Sequence, residues 1–152
     1  VLAFEFTETG RIALFAADAQ VGSWLSWQNL RWTVGEQQLT GPDLLARTVY
    51  YKVSHHGSEN ATLKQNGLEQ MTHPDLSAFV PTNARDAAKV GWHQMPFSAI
   101  LDALSARTSG RTVRADDEWI GKNDAAGLGP PITGSIRSWS HSPGLWVEIS
   151  IG

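Results

Sequence analysis

Every position from 12 to 17 is apolar, and the run closes on Asp18. A strand with one wet face alternates apolar and polar side chains, so a run that does not alternate reads as a strand covered on both faces. Helices layered on a sheet supply that cover, and the rest of the chain is punctuated to match. Val49-Tyr50-Tyr51-Lys52-Val53 is a second run of β-formers, and it ends on Ser54-His55-His56-Gly57-Ser58. Upstream, Leu2, Phe4 and Phe6 alternate with Ala3, Glu5 and Thr7, and Thr9-Gly10 supplies the turn of a hairpin. Residues 78–80 and 112–114 read as further short strands.

Between these runs the spacing turns helical. Val21, Trp24, Leu25 and Trp32 share one face, broadened by Trp27 and Leu30, which predicts a helix over 21–32. Gly41-Pro42-Asp43 is expected to break the chain. Thr62 and Gln65 have capping-box spacing ahead of Leu63, Leu68 and Met71, which predicts a short helix stopped by Pro74. Pro96 in a first turn, followed by Phe97, Ile100, Leu101 and Leu104, predicts the clearest helix, ending near Ser109-Gly110. Residues 121–134 are rich in Gly and Pro and read as irregular; Ile136 and then Leu145, Val147, Ile149 and Ile151 suggest a closing edge pair. The expected class is α/β with a mixed sheet and a more irregular, β-containing tail, as one domain over 1–152.

Composition narrows the function classes. A chain of 152 residues that is 41% hydrophobic and 18% charged can enclose one core. Twelve Lys and Arg against 15 Asp and Glu leave a formal charge of −3, too little cationic surface for a purely electrostatic nucleic-acid binder. No apolar run nears the roughly 20 residues that cross a bilayer, and no basic-then-apolar leader opens the chain, so no membrane partner and a cytoplasmic location are expected. With no cysteine, any metal must sit on His and carboxylate.

Those donors stand at the two strand ends. Side chains leaving strand ends in layered folds converge on a cleft, and Asp18 with the imidazoles of residues 55 and 56 is a suitable ligand set for Zn, Mn or Fe. Two plainer readings compete: Asp18 as the N-cap of the helix beginning near Val21, and His-His-Gly as a surface turn. His73, His93 and His141 are isolated and are assigned no role. Trp24, Trp27 and Trp32 read as packing rather than as a platform for a base or sugar. Arg85, Lys89, Arg107, Arg111 and Arg114 make the tail locally basic, with a solvated face as the default.

Phe15-Ala16-Ala17-Asp18-Ala19, followed by Lys52-Val53-Ser54-His55-His56-Gly57-Ser58-Glu59-Asn60-Ala61-Thr62, resembles the C-terminal half of a metallo-β-lactamase-fold hydrolase, especially the branch similar to the ComEC nuclease domain. By element order the resemblance covers residues 1–83, with 84–152 as an extension. It implies half of an αββα sandwich. It also implies two divalent metal ions, zinc foremost and Mn or Fe as alternatives, with Asp18 bridging them. His55 is the implied ligand, because shorter family variants read His-x-Gly-Ser/Thr; His56 would then sit beside the metal or against substrate. Lys52 is either an interior polar contact or a snorkelling strand lysine, and Ser58 either donates to a substrate oxygen or steadies the turn.

The implied reaction is attack of a metal-activated water on a phosphodiester or other ester bond. Two departures stand out: Ala17 replaces the family's Gly before Asp18, and the family's His-x-His-x-Asp-His loop is absent. The chain, which opens at Val1 in an apparent strand, thus reads as a fragment whose partner is the missing N-terminal half. Alone it is expected to be inactive, to bind metal weakly and to self-associate through the face its other half would cover. The alternative is a noncatalytic interaction or scaffold module that keeps a relic motif.

Overall fold

The structure, a computed structural model, describes residues 1–121, 134–142 and 146–152. In chain order it contains β1 (Leu2–Phe6), β2 (Arg11–Phe15), α1 (Val21–Trp27), β3 (Arg31–Val34), β4 (Gln37–Thr40), α2 (Gly41–Ala46), β5 (Thr48–Lys52), β6 (Ser77–Val80), α3 (Ala84–Lys89), α4 (Ser98–Arg107), β7 (Thr112–Arg114), β8 (Ile136–Ser142) and β9 (Trp146–Ile151). The class is mixed α/β. Five strands form the main sheet in the order β1-β2-β5-β6-β7. The β1–β2 hairpin is antiparallel, and β2, β5, β6 and β7 run parallel. Parallel strands put their C-terminal ends on one edge, so the residues after β2 and β5 leave the sheet side by side.

Register decides which side chains meet. Leu14, Tyr51, Ala78 and Thr112 form one row across the sheet. This face carries the larger core, where Leu14, Tyr51, Val53 and Val80 pack with Trp24, Leu45, Met71 and Leu104. On the opposite face the antiparallel β8–β9 pair covers the β6–β7 side, with Phe79 and Val113 against Trp119, Trp139 and Val147. Toward β1 that face continues as an aromatic row, Phe4 on Phe15 and Phe15 on Tyr50, each at 5.7 Å between ring centroids. Its outer members stay in solvent: Leu2 is 61% exposed and Phe4 54%. The unalternating run is buried at Ile12, Ala13, Leu14 and Ala16, as double cover requires.

Several local expectations are corrected. The helix from Val21 ends at Trp27, and Trp32 lies instead in a β3–β4 hairpin turned at Gly35 (φ 62°). Its tryptophans divide: Trp24 is fully buried, while Trp32 is 40% exposed. Gly41-Pro42-Asp43 starts a helix rather than breaking the chain. Thr40 Oγ1 accepts from the Asp43 amide at 3.2 Å, Asp43 Oδ2 accepts from the Thr40 amide at 2.9 Å, and Pro42 sits in the first turn. Thr62 caps no helix, because its hydroxyl lies 2.8 Å from the Tyr51 phenol; the chain turns through this region and forms only a short 3-10 segment at Leu68–Gln70.

Pro96 precedes its helix, in a cis bond after Met95, and Phe97 is the N-cap. Helix α3, unforeseen, is capped by Asn83 Oδ1 accepting from the Arg85 and Asp86 amides. Within the tail, β7 extends the main sheet as its edge strand beside β6. Its basic residues are largely engaged: Arg107 donates to the Met71 carbonyl, Arg111 to the Leu76 and Pro74 carbonyls, and Arg114 to Asp116. Within the irregular stretch 121–134, positions 122–133 lie outside the described residues, as does Leu145. Among the described residues no helix is long and apolar enough to cross a membrane.

Candidate functional site

The end of β2 is a tight turn over residues 16–19, closed by the Ala19 amide on the Ala16 carbonyl at 3.0 Å. Ala17 occupies its first corner at φ 48°, a left-handed conformation that glycine adopts freely and alanine does not. Asp18, the second corner, is exposed and hydrogen-bonds no described group. The N-cap of α1 is Gln20, which makes no side-chain capping bond, so Asp18 does not serve as the cap.

The end of β5 lies against this turn, with the His55 amide donating to the Ala17 carbonyl at 2.8 Å. Three successive residues there are left-handed: His55 at φ 41°, His56 at 57° and Gly57 at 68°. Neighbouring elements clamp the turn. Thr82, just after β6, donates to the His56 carbonyl at 2.6 Å, and the Phe97 amide donates to the Gly57 carbonyl at 2.8 Å. A Cβ at Gly57 would stand 3.0 Å from Pro96 Cβ, so this position needs glycine for space as well as for φ. Beneath the turn the Tyr51 phenol contacts Ser54 and Thr62, and burial pushes its pKa up, keeping it a neutral hydrogen-bonding group. Of the four described non-glycine residues at positive φ, Ala17, His55 and His56 all belong to these two turns.

The His55 ring is half-buried. Its Nδ1 lies 2.7 Å from Ser58 Oγ and 3.1 Å from Asn60 Oδ1, and Gln20 Nε2 lies 3.3 Å from its Nε2. Ser58, 7% exposed, also donates to Asn60 Oδ1 at 2.8 Å. His56 is exposed and stacks on Trp92 at 5.4 Å between centroids. Lys52 is half-buried, in register between Phe15 and Phe79 and on the face opposite Tyr51. A cavity of about 590 Å³ opens beside His55, walled by Val21, Ser58, Asn60, Met95 and Phe97.

The structure therefore gathers His55, His56 and Ser58 in one turn and sets the Asp18 backbone next to it, while Lys52 stays within β5. Sequence reasoning missed Gln20, Asn60, Trp92, Met95 and Phe97. Asn60 carried a signal, lying two residues from Ser58 in the motif itself; the others are brought in by tertiary contact. As a metal centre the described residues are incomplete. No group of three or more His, Asp or Glu is found among them, whereas zinc takes three or four protein ligands. Comparison with protein-family models, curated proteins and solved structures finds no match to the chain.

Proposed function

We propose that this chain is the C-terminal half of a metal-dependent hydrolase of the metallo-β-lactamase fold, acting on a phosphodiester or other ester bond. Asp18 and His55 are its contribution to a two-ion centre, with zinc foremost and Mn or Fe as alternatives. The hydrogen bond between the Ala17 carbonyl and the His55 amide carries this reading, because it joins the carboxylate-bearing turn to the imidazole-bearing one at the edge where parallel sheets place ligands. Strain points the same way. Left-handed non-glycine residues cost about 1–2 kcal/mol each, and such conformations persist where a site needs them.

The remaining ligands come from the N-terminal half of the fold, which also covers Leu2, Phe4, Phe15 and Tyr50 as the second sheet of an αββα sandwich. Ser58 lines the cavity beside His55, exposed His56 would meet substrate, and Lys52 is a polar contact within β5.

Calorimetric titration of Zn²⁺ into the protein tests the assignment. Weak binding is expected, lost in both Asp18→Ala and His55→Ala, and strengthened when the N-terminal half is supplied. Zinc binding that is absent, or unchanged in Asp18→Ala, overturns the reading and leaves the interaction module.

A further inference from the structure

Three side chains, Gln20, Ser58 and Asn60, close a circuit of hydrogen bonds with the His55 ring. Asn60 Nδ2 donates to Gln20 Oε1 at 3.2 Å, and Gln20 Nε2, a donor only, lies 3.3 Å from His55 Nε2. Ser58 Oγ has one proton and gives it to Asn60 Oδ1 at 2.8 Å, so the 2.7 Å contact between Ser58 Oγ and His55 Nδ1 needs its proton from the ring. The 3.1 Å approach of Nδ1 to Asn60 Oδ1, an acceptor, demands the same. Every donor then meets an acceptor, in one direction around the ring, an arrangement whose bonds polarise one another.

We infer that Ser58 and Asn60 are positioning residues that hold neutral His55 as its Nδ1–H tautomer, leaving the Nε2 lone pair for an electrophile. Ser58 is 7% exposed, so water competes little for its hydroxyl. The Gln20 amide stands where that electrophile would approach. It lies nearly as close to Nδ1, at 3.5 Å, as to Nε2, so its bond to the Nε2 lone pair is poorly aligned and easily displaced. Use of Nε2 as a metal ligand rests on the hydrolase reading. The tautomer itself does not.

The opposite circuit is the rival. With both amides turned over, the proton sits on Nε2 and that nitrogen is closed to a cation. Long-range proton–nitrogen correlation spectra of uniformly ¹⁵N-labelled, metal-free protein at about pH 8, above the ordinary histidine range, separate the two. Expected are a protonated Nδ1 and an unprotonated Nε2 in the wild type, a mixture of tautomers in Ser58→Ala and Asn60→Ala, and recovery of the single form in Ser58→Thr. A wild-type Nε2–H, or an unchanged tautomer in both alanine variants with chemical shifts elsewhere preserved, overturns the inference. Zinc titration of the same samples keeps the claims apart. An Nδ1–H ring without zinc affinity sinks the hydrolase reading alone, and an Nε2–H ring in a protein that binds zinc through Asp18 sinks this inference alone.

Discussion

Replacing Ala17 with glycine should stabilise the protein, against the usual direction of such a change. Ala17 is exposed, so its methyl gives up little burial, and at φ 48° it carries the left-handed penalty of about 1–2 kcal/mol. Glycine removes that penalty but adds unfolded-state entropy worth about 0.4–1 kcal/mol. The net expectation is a gain of about 0.5–1 kcal/mol. Ala16→Gly, one residue upstream, is the control. Ala16 is fully buried and has no positive φ, so its loss removes about 0.8 kcal/mol of methyl burial and adds the same entropy, for a loss of about 1.5 kcal/mol. Two alanine-to-glycine changes at adjacent positions are thus expected to differ by about 2 kcal/mol, with opposite signs. Urea unfolding at a shared m-value measures both. At this chain length 1 kcal/mol moves the melting temperature by about 2–4 °C, so a thermal melt shows the same split. If Ala17→Gly lowers the midpoint as Ala16→Gly does, the β2 turn is not left-handed at Ala17 and the strain argument for the site fails.

Burial alone would raise the Asp116 carboxyl, but hydrogen bonds from Arg114 and the Ala84 amide outweigh it and hold the pKa below the ordinary value. A depressed folded-state pKa contributes stability above the unfolded value that is lost as pH falls through the folded one. The stability gap between wild type and Asp116→Asn should therefore narrow from about pH 6 to about pH 3 in denaturant titrations, and a gap that widens refutes the pairing. Asp117, pushed up mainly by burial, acts in the opposite sense, which is why the difference against the single variant is the quantity to follow. In sedimentation equilibrium the isolated chain should self-associate through β1, an edge strand bearing exposed Leu2 and Phe4, and Phe4→Lys should weaken that association at least about tenfold. A wild-type chain that stays monomeric at high concentration argues against an uncovered sheet face.

The parallel layering was legible because it rests on local chemistry: an unalternating apolar run has few ways to hide both its faces. Helix boundaries were less legible, and two similar signals show why. Thr40 and Asp43 stand three apart, as do Thr62 and Gln65. The first pair closes a capping box around Pro42, while Thr62 turns its hydroxyl to the Tyr51 phenol and the helix does not form. Spacing permits a cap, but a buried phenol whose contacts to Ser54 are long, at 3.4 Å, competes for the same hydroxyl. Likewise Trp32 fits a helical face by count, yet Trp32-Thr33-Val34 is a run of β-formers that pairs across Gly35 with β4.

At the candidate site the same division falls between the ends of the strands and what surrounds them. Asp18, His55, His56 and Ser58 announce themselves as polar residues where apolar runs stop, and the turn chemistry is legible too, since the alanine before Asp18 fills a corner that glycine suits better. Gln20 cannot be read this way. It looks like the first residue of α1, and only the hydrogen bond joining the two strand ends carries its side chain to the His55 ring, 35 residues away in the chain. Trp92 and Phe97 reach the turn from the segment between β6 and α4, through a stacked ring and a backbone bond. A motif marks the atoms that could react, whereas the groups that set their proton and their reach are supplied by packing. Variants at Gln20, Ser58 and Asn60 therefore probe more of this site than further changes at the histidines themselves.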